Sequence, residues 1–420
     1  MAPKWKGGAV AVAQVDKLTP GDAPADTAVV YYITLTNRAG ESHMVASGQP
    51  ADTTASAVCS AVMTAIVAAS SAGEDPWDEV TADTTTSTAY VTITADSAGE
   101  PFWLSAVTTN ETATMTSASV TAVGGPNIFA DADNWDANAA PVAGDVPVVP
   151  ADATVAIFGT TYTSAAGLNG FIEEPGCSVN IGSYAKPLNL PFDTGAGVNL
   201  DLDGSGVVYL HIRSESSTAS TSAVINVTGA AAGSAGAYGL NLTSDTANVI
   251  AAVNVSAERN ETISLAAHQG DSASFTSIKV QGGEVSIGSA ADTGAITPTI
   301  SGGTVYNWNA VGVLTMTAGT FYNEGTATMT SANVDAGTFH QKSTGQLDSA
   351  TIGGTLDFSK DPRTHTISSA GITLRAGAVL NDPHGTLTGS AAGAIPIHLS
   401  GADVGQVVIQ LGKGKTLTAS

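Results

Sequence analysis

The side chains in this chain that could do chemistry are few and far apart. Acidic pairs occur at Glu173-Glu174, at Asp201 and Asp203, and at Glu258 and Glu261. Two carboxyls that cleave a glycosidic bond must face each other across a sugar at about 5–10 Å. No stretch of this sequence concentrates acids as that chemistry would need, so a catalytic pair is not expected. Asp201-Leu202-Asp203-Gly204-Ser205-Gly206 suggests a calcium loop. Calcium takes six to eight oxygens, and the distal Glu of an EF-hand and the repeats of calcium β-rolls are both missing, so a turn held by Asx hydrogen bonds is the better reading. The same holds for Asp131, Asp133 and Asp136 around Trp135. The seven histidines, His43, His211, His268, His340, His365, His384 and His398, show no metal-binding spacing. Cys59 and Cys177 form no framework and read as buried small apolar residues. No cofactor and no metal is expected.

Two aromatic groups remain. Tyr306 and Trp308 fall on one side of a strand, with Tyr322 one repeat later. Exposed, they could stack on a glycan ring; covered, they are packing, which is the commoner fate of such stripes. Lys4, Trp5, Lys6 and Lys17 put bases and an aromatic ring at one end of a chain otherwise poor in both. They predict a docking patch for an acidic partner, and deletion of residues 1–8 is then expected to leave the fold intact.

Composition sets the setting for these residues. The net charge is −23, with only 14 Lys plus Arg in 420 residues. Such a surface repels phosphate backbones, so no nucleic-acid partner is expected. The apolar stretch Ala9–Ala13 is too short for a signal-peptide core, and no run of about 18 apolar residues offers a membrane span. The chain is therefore expected to be made in the cytoplasm, with no membrane association. Hydrophobic residues are 43% but aromatics only 5%, which favours closely stacked strands built from small and β-branched side chains.

The elements that must position these residues divide into three parts. Residues 1–123 read as a small α+β domain. It has one strand begun by Val10, Val12 and Val15, and a hairpin through Val29–Thr36 and His43–Val45. A helix follows over about Thr53–Ala69, with Asp52 as N-cap and Val58, Val62 and Ile66 on one face. Strands then follow near Ala89–Thr94 and Phe102–Leu104, with a last Thr-rich one to about Val123. Residues 124–150 lead into a third part, 151–420, which carries strand and turn signals only.

That third part repeats. Gly302-Gly303-Thr304-Val305-Tyr306-Asn307 is echoed by Ala318-Gly319-Thr320-Phe321-Tyr322-Asn323, by Ala336-Gly337-Thr338-Phe339-His340-Gln341 and by Gly353-Gly354-Thr355-Leu356-Asp357-Phe358. With Gly282-Gly283-Glu284-Val285, the copies lie 20, 16, 18 and 17 residues apart. One copy per rung of a parallel β-solenoid is the physical reading. It places Val285, Val305, Phe321, Phe339 and Leu356 in one inward column, and Asn307, Asn323 and Gln341 in an amide ladder. Before residue 270 the spacing is irregular and the rung count is not legible. The fold class is thus mainly β: a small N-terminal α+β domain followed by a parallel β-solenoid (β-helix).

Two segments carry a resemblance. Asp133-Asn134-Trp135-Asp136, followed by Pro141 and Gly144-Asp145 before a hydrophobic strand, resembles the lead-in of β-helices in large bacterial surface proteins and phage structural proteins. Val12-Ala13-Gln14-Val15-Asp16 with Thr19-Pro20, the helix, and Ala98-Gly99-Glu100-Pro101-Phe102 resemble a module of tailed-bacteriophage virion proteins. The resemblance covers roughly residues 9–150 and implies a virion setting without any chemistry. It implies a head decoration or fibre-type spike anchored by its N-terminal domain, in contact with other capsid or tail proteins. By analogy it would be a homo-oligomer, a trimer, exposed on the particle exterior. The alternatives are a tailspike that binds host surface glycan, or less favourably cleaves it, and a bacterial surface adhesin.

Overall fold

The computed structural model describes residues 2–412 except 22–27, 85–88, 111, 164–166, 184, 193–198, 215–223, 228–239, 245–248, 256–261, 266–273, 289–294, 327, 391–394 and 401–405. Glu258, Glu261 and His268 lie outside the described residues.

The N-terminal unit has a core of its own. The strand Val15–Pro20 lies between Val91–Ala95 and Met115–Thr121, with Val80–Asp83 at the edge, all antiparallel. A second sheet holds the hairpin Val30–Thr36 and Ser42–Gly48, with Trp103–Thr108 on the hairpin's other side. Period-2 alternation turns Tyr31, Ile33 and Leu35 fully inward. The helix α1 (Ala55–Ser71) packs Val58, Cys59, Val62 and Ile66 into this core. Its N-cap is Thr54, whose hydroxyl accepts from Ala57 N, while Asp52 sits upstream and accepts from Thr54 N. The expected cap at Asp52 is therefore displaced by two residues. The first strand also starts later than expected, because Val10 and Val12 are exposed and the inward positions are Asp16 and Leu18.

From Val148 onward the chain is a parallel β-solenoid, and among the described residues no α-helix follows. From Gly170 to Asp357 successive strands alternate between two sheets, and within each sheet neighbouring rungs pair in parallel register; later, His365–Ile367 and Ile372–Leu374 share one sheet and both pair with Leu347–Ile352. The column Val285, Val305, Phe321, Phe339, Leu356 forms as the repeat requires, every member fully buried. Gly303, Gly319 and Gly337 take φ of 71°, 81° and 87° at the corner before each strand. There a Cβ would also strike the backbone of the previous rung at 2.5–2.7 Å, so both conformation and space require glycine.

The parallel strand register continues well before residue 270, where the sequence spacing hid it. One position is occupied in turn by Leu188, Leu210, Leu242, Leu265 and Ile287, then by Asn307, Asn323 and Gln341. The amides are buried and linked: Asn307 Nδ2 donates to Asn323 Oδ1 and Asn323 Nδ2 to Gln341 Oε1, each at 3.0 Å. Asn307 and Gln341 also donate to the carbonyls of Asn309 and Ser343, which closes both ends of the ladder.

The two units touch side by side. Arg38 stacks over Phe158 at 4.4 Å and Lys186 over Trp103 at 4.2 Å. Between them Gly40, at φ 89°, lies so close to Ala185 that a Cβ would meet its methyl at 2.2 Å.

Candidate functional site

The four residues expected to form a docking patch are not brought together. Trp5 is 2% exposed and belongs to the solenoid core. Its ring meets Trp135 edge-on at 5.3 Å and lies parallel to Phe129 at 6.4 Å, and its Nε1 donates to the Val155 carbonyl. The backbone of residues 3–6 bonds to Asn134 and Val148, adding an edge to the first turn. Lys4 Nζ pairs with Glu174 at 3.3 Å, and Lys6 Nζ donates to Asn138. Lys17 is on the strand Val15–Pro20, with its ammonium over the Tyr90 ring. The expectation of an aromatic-tipped terminus is thus corrected. An indole released into water would lose its burial energy, and the first solenoid turn needs a lid over its apolar end. Residues 2–8 are part of that lid, so deleting this stretch is expected to open the core rather than spare the fold.

The lid is organised by Asn134 and Trp135. Asn134 is fully buried, donates to the carbonyls of Gly125 and Ile128, and accepts from Ala9 N. Trp135 Nε1 donates to Phe129 O. Asp131 accepts from the amides of Gly125 and Asp133, and Asp136 from Lys4 N, so these acids hold turns. The Asp201–Gly206 segment is likewise structural. Asp201 Oδ1 accepts from Asn226 Nδ2 at 2.7 Å, and Asn226 accepts from Asn254 at 3.0 Å, an outward polar ladder. Among the described residues no group of three or more His, Cys, Asp or Glu could hold a metal. Cys59 and Cys177 are free and buried.

Tyr306 and Tyr322 stand on the outward face of their strands, and the register extends their column to His340 and Asp357. The rings stack rung on rung: Tyr306 on Tyr322 at 4.8 Å and 7°, Tyr322 on His340 at 4.4 Å and 11°. A stack at rung spacing covers the inner ring faces with neighbouring rings. Only its first member differs. Tyr306 faces Ser286 across the preceding rung, and Trp308 lies beside it with centroids 6.5 Å apart and planes 25° apart. Trp308 is 40% exposed.

The other end of the column is ionic. His340 Nδ1 lies 2.8 Å from Asp357 Oδ2, close in distance but not aligned as a hydrogen bond. Burial pushes the His340 imidazole below its ordinary pKa, more than the neighbouring Asp357 raises it. Burial pushes Asp357 up, but the amide and hydroxyl of Ser359, His340 and Asn381 outweigh it and hold the carboxyl below the usual range. A neutral imidazole beside an ionised carboxylate is the composition of a general base. Here, though, one imidazole face is covered by Tyr322 and the carboxylate is engaged by Ser359 and Asn381 at 2.8–3.0 Å. Lys342 pairs with Glu324 and passes over the Tyr322 ring at 5.7 Å. His340 and Asp357 were not singled out from the sequence. The signal was available, since both occupy the place in the repeat that holds Tyr306 and Tyr322.

No family model matches the chain, and neither a curated protein nor a solved structure is similar to it at a significant level. Among the described residues no helix is long and apolar enough to cross a membrane.

Proposed function

We propose that the protein is a non-enzymatic structural component of a tailed-bacteriophage virion, a head decoration or fibre-type spike whose N-terminal unit attaches to other capsid or tail proteins while the solenoid projects outward. The observation that carries the structural role is the use made of polar side chains in the solenoid. Asn307, Asn323 and Gln341 bond to one another inside it, and Asp201, Asn226 and Asn254 bond to one another outside it. Polar groups spent on rung-to-rung bonds stiffen a rod; they do not converge on a substrate. The virion setting rests on the resemblance of residues 9–150, and a homotrimer on analogy with projecting solenoids. With Trp5 in the core, the attachment surface belongs to the rest of the unit, residues 9–123. Gold-labelled antibody against the solenoid, imaged on intact particles by electron microscopy, should decorate the exterior at regular sites. Unlabelled particles would remove the virion reading, and release of reducing ends from host polysaccharide by the purified protein would remove the non-enzymatic one.

A second reading, that the rod binds host surface glycan, is favoured by Tyr306 and Trp308 alone. These two near-parallel rings at the head of the stack, one of them well exposed, offer aromatic surface on which a sugar ring could stack. Retention on immobilised host polysaccharide that is lost in Trp308→Ala would support it; equal retention of both proteins would discard it.

A further inference from the structure

One inward position of the solenoid carries a carboxylate. The register runs Val149, Glu173, Leu202, Val227, Val255, Val280, Ile300, Met316, Val334, Ile352, Leu374. Every member except Glu173 is an apolar residue; Val149, Leu202, Val255 and those from Val280 onward are at most 1% exposed, and Glu173 itself is 2% exposed. Its Oε1 is buried without a hydrogen-bond partner, and Gly204 packs so tightly on it that a Cβ there would stand 2.1 Å away. The groups facing it are few. The turn after its own strand brings the Cys177 thiol, the strand Val148–Val149 brings only apolar side chains, and the next rung brings Asp203 and the Gly204 backbone. Glu174 points away, to Lys4 and Ala151 N. No described cation reaches Glu173 to balance a charge.

We infer that Glu173 is a proton-controlled latch: as a neutral acid it lets the first turns of the solenoid close around it, and on ionising it loosens them. Burial, with Asp203 adding to it and Gly204 N–H and Cys177 opposing, pushes its pKa up to about 7. In an opened turn the carboxyl regains water and its ordinary value of 4.5. The sign follows from that order. Below about 4.5 both states hold the proton and the closed turn keeps its full stability. Between there and about 7 the open state releases the proton first, so closure weakens steadily as pH rises. Above about 7 both states are ionised and the loss is complete. A carboxylate at the solenoid's lidded end therefore makes that end tighter in mildly acidic surroundings and looser in neutral or alkaline ones. The late turns, which have an aliphatic residue at the same position, lack this response.

Cys177, fully buried beside Glu173, reports the opening directly, and Cys59, buried in helix α1, is an internal reference. The full-length protein would be alkylated between pH 5 and 8.5 and the modification of each thiol followed by peptide mass spectrometry. The Cys177 rate, divided by the Cys59 rate and then by the same ratio in Glu173→Gln, should rise roughly a hundredfold across that range. Glu173→Leu should behave as Glu173→Gln, and Asp203→Asn should keep most of the wild-type rise. A pH-independent quotient, or one whose rise vanishes in Asp203→Asn, overturns the inference. Should the substitutions at Glu173 destabilise the protein, hydrogen exchange in wild type alone still decides it. The amides of Phe171, Ile172 and Leu202 must lose protection relative to those of Leu314 and Ala332 as pH rises; parallel behaviour of the two sets refutes the latch.

Discussion

The early turns of the solenoid, from Val148 to Ile212, and the late ones, from Thr297 to Asp357, share one backbone plan but are held together differently. The late turns hold themselves. Each repeats Gly-Thr-hydrophobic, so every rung finds its own likeness above and below. Phe321 packs on Phe339 at 5.8 Å, and Asn323 bonds to the amides on both sides of it. The early turns are held by chain from elsewhere. Trp5, Phe129 and Trp135 close their end, and Arg38 and Trp103 of the N-terminal unit grip their flank. The difference shows in one column, where leucines give way to amides after Ile287. A leucine tolerates any apolar neighbour, whereas a buried amide needs a partner on each side, so amides suit only a stretch of regular repeats.

Solenoids transmit stability mainly between neighbouring rungs, so the two regions should fail separately. The largest effect is expected from deleting residues 2–8. Removing Trp5 alone exposes a buried indole environment worth about 3–5 kcal/mol, and the deletion also takes away the backbone bonds to Asn134 and Val148. Hydrogen exchange should show lost protection from Phe129 to Ile181 with little change in Leu347–Ile352. Uniform loss would mean that the regions are one cooperative unit. Phe339→Ala is the converse, expected to cost about 3–5 kcal/mol through its cavity and to loosen the late turns while the lid stays protected.

Asn323→Leu comes next. It strands Gln341 Oε1 without its donor and takes from Asn307 Nδ2 one of its acceptors, a loss of roughly 2–4 kcal/mol in chemical denaturation. Changing Asn307, Asn323 and Gln341 together to Leu should recover much of that, because it extends the leucine column of the early turns. A triple variant less stable than the single one would show that the amides do more than satisfy each other. The smallest effect belongs to Lys4→Ala. The Lys4–Glu174 pair is half exposed and should contribute below about 1 kcal/mol, diminishing in salt. A larger change would mean that charge, rather than Trp5, fastens the lid.

The asymmetry also explains what was legible. The late repeat could be read directly because its signal is local: glycine at a corner that needs positive φ, threonine, then an inward residue. It predicted the column through Phe321, Phe339 and Leu356 and the amide ladder with Asn323 at its centre. The stacked Tyr322–His340 pair was half legible, since the aromatic members drew attention while His340 and Asp357 at the same repeat position did not. The early turns have no such regularity, because loops of different length separate strands that are nonetheless in register, as with Leu188 and Leu210.

The sequence by itself determined the β-rich character, the division into a small helix-bearing unit and a solenoid, and the identity of the late inward residues. All of these follow from composition and from periods of two and of about seventeen residues, which act within a strand or between adjacent rungs. Only the tertiary structure decided that Trp5 is a core residue. Its partners Trp135 and Val155 lie more than a hundred positions away, and nothing near Trp5 announces them. Only the tertiary structure decided, too, that Glu173 faces inward while Glu174 faces Lys4. Glu173 ends its strand and Glu174 follows it directly, so the two point to opposite faces, and which one is buried depends on the pairing register with Val149 and Leu202. A shift of one residue would have exchanged their roles, and that register is set by the neighbouring rungs rather than by the pair itself.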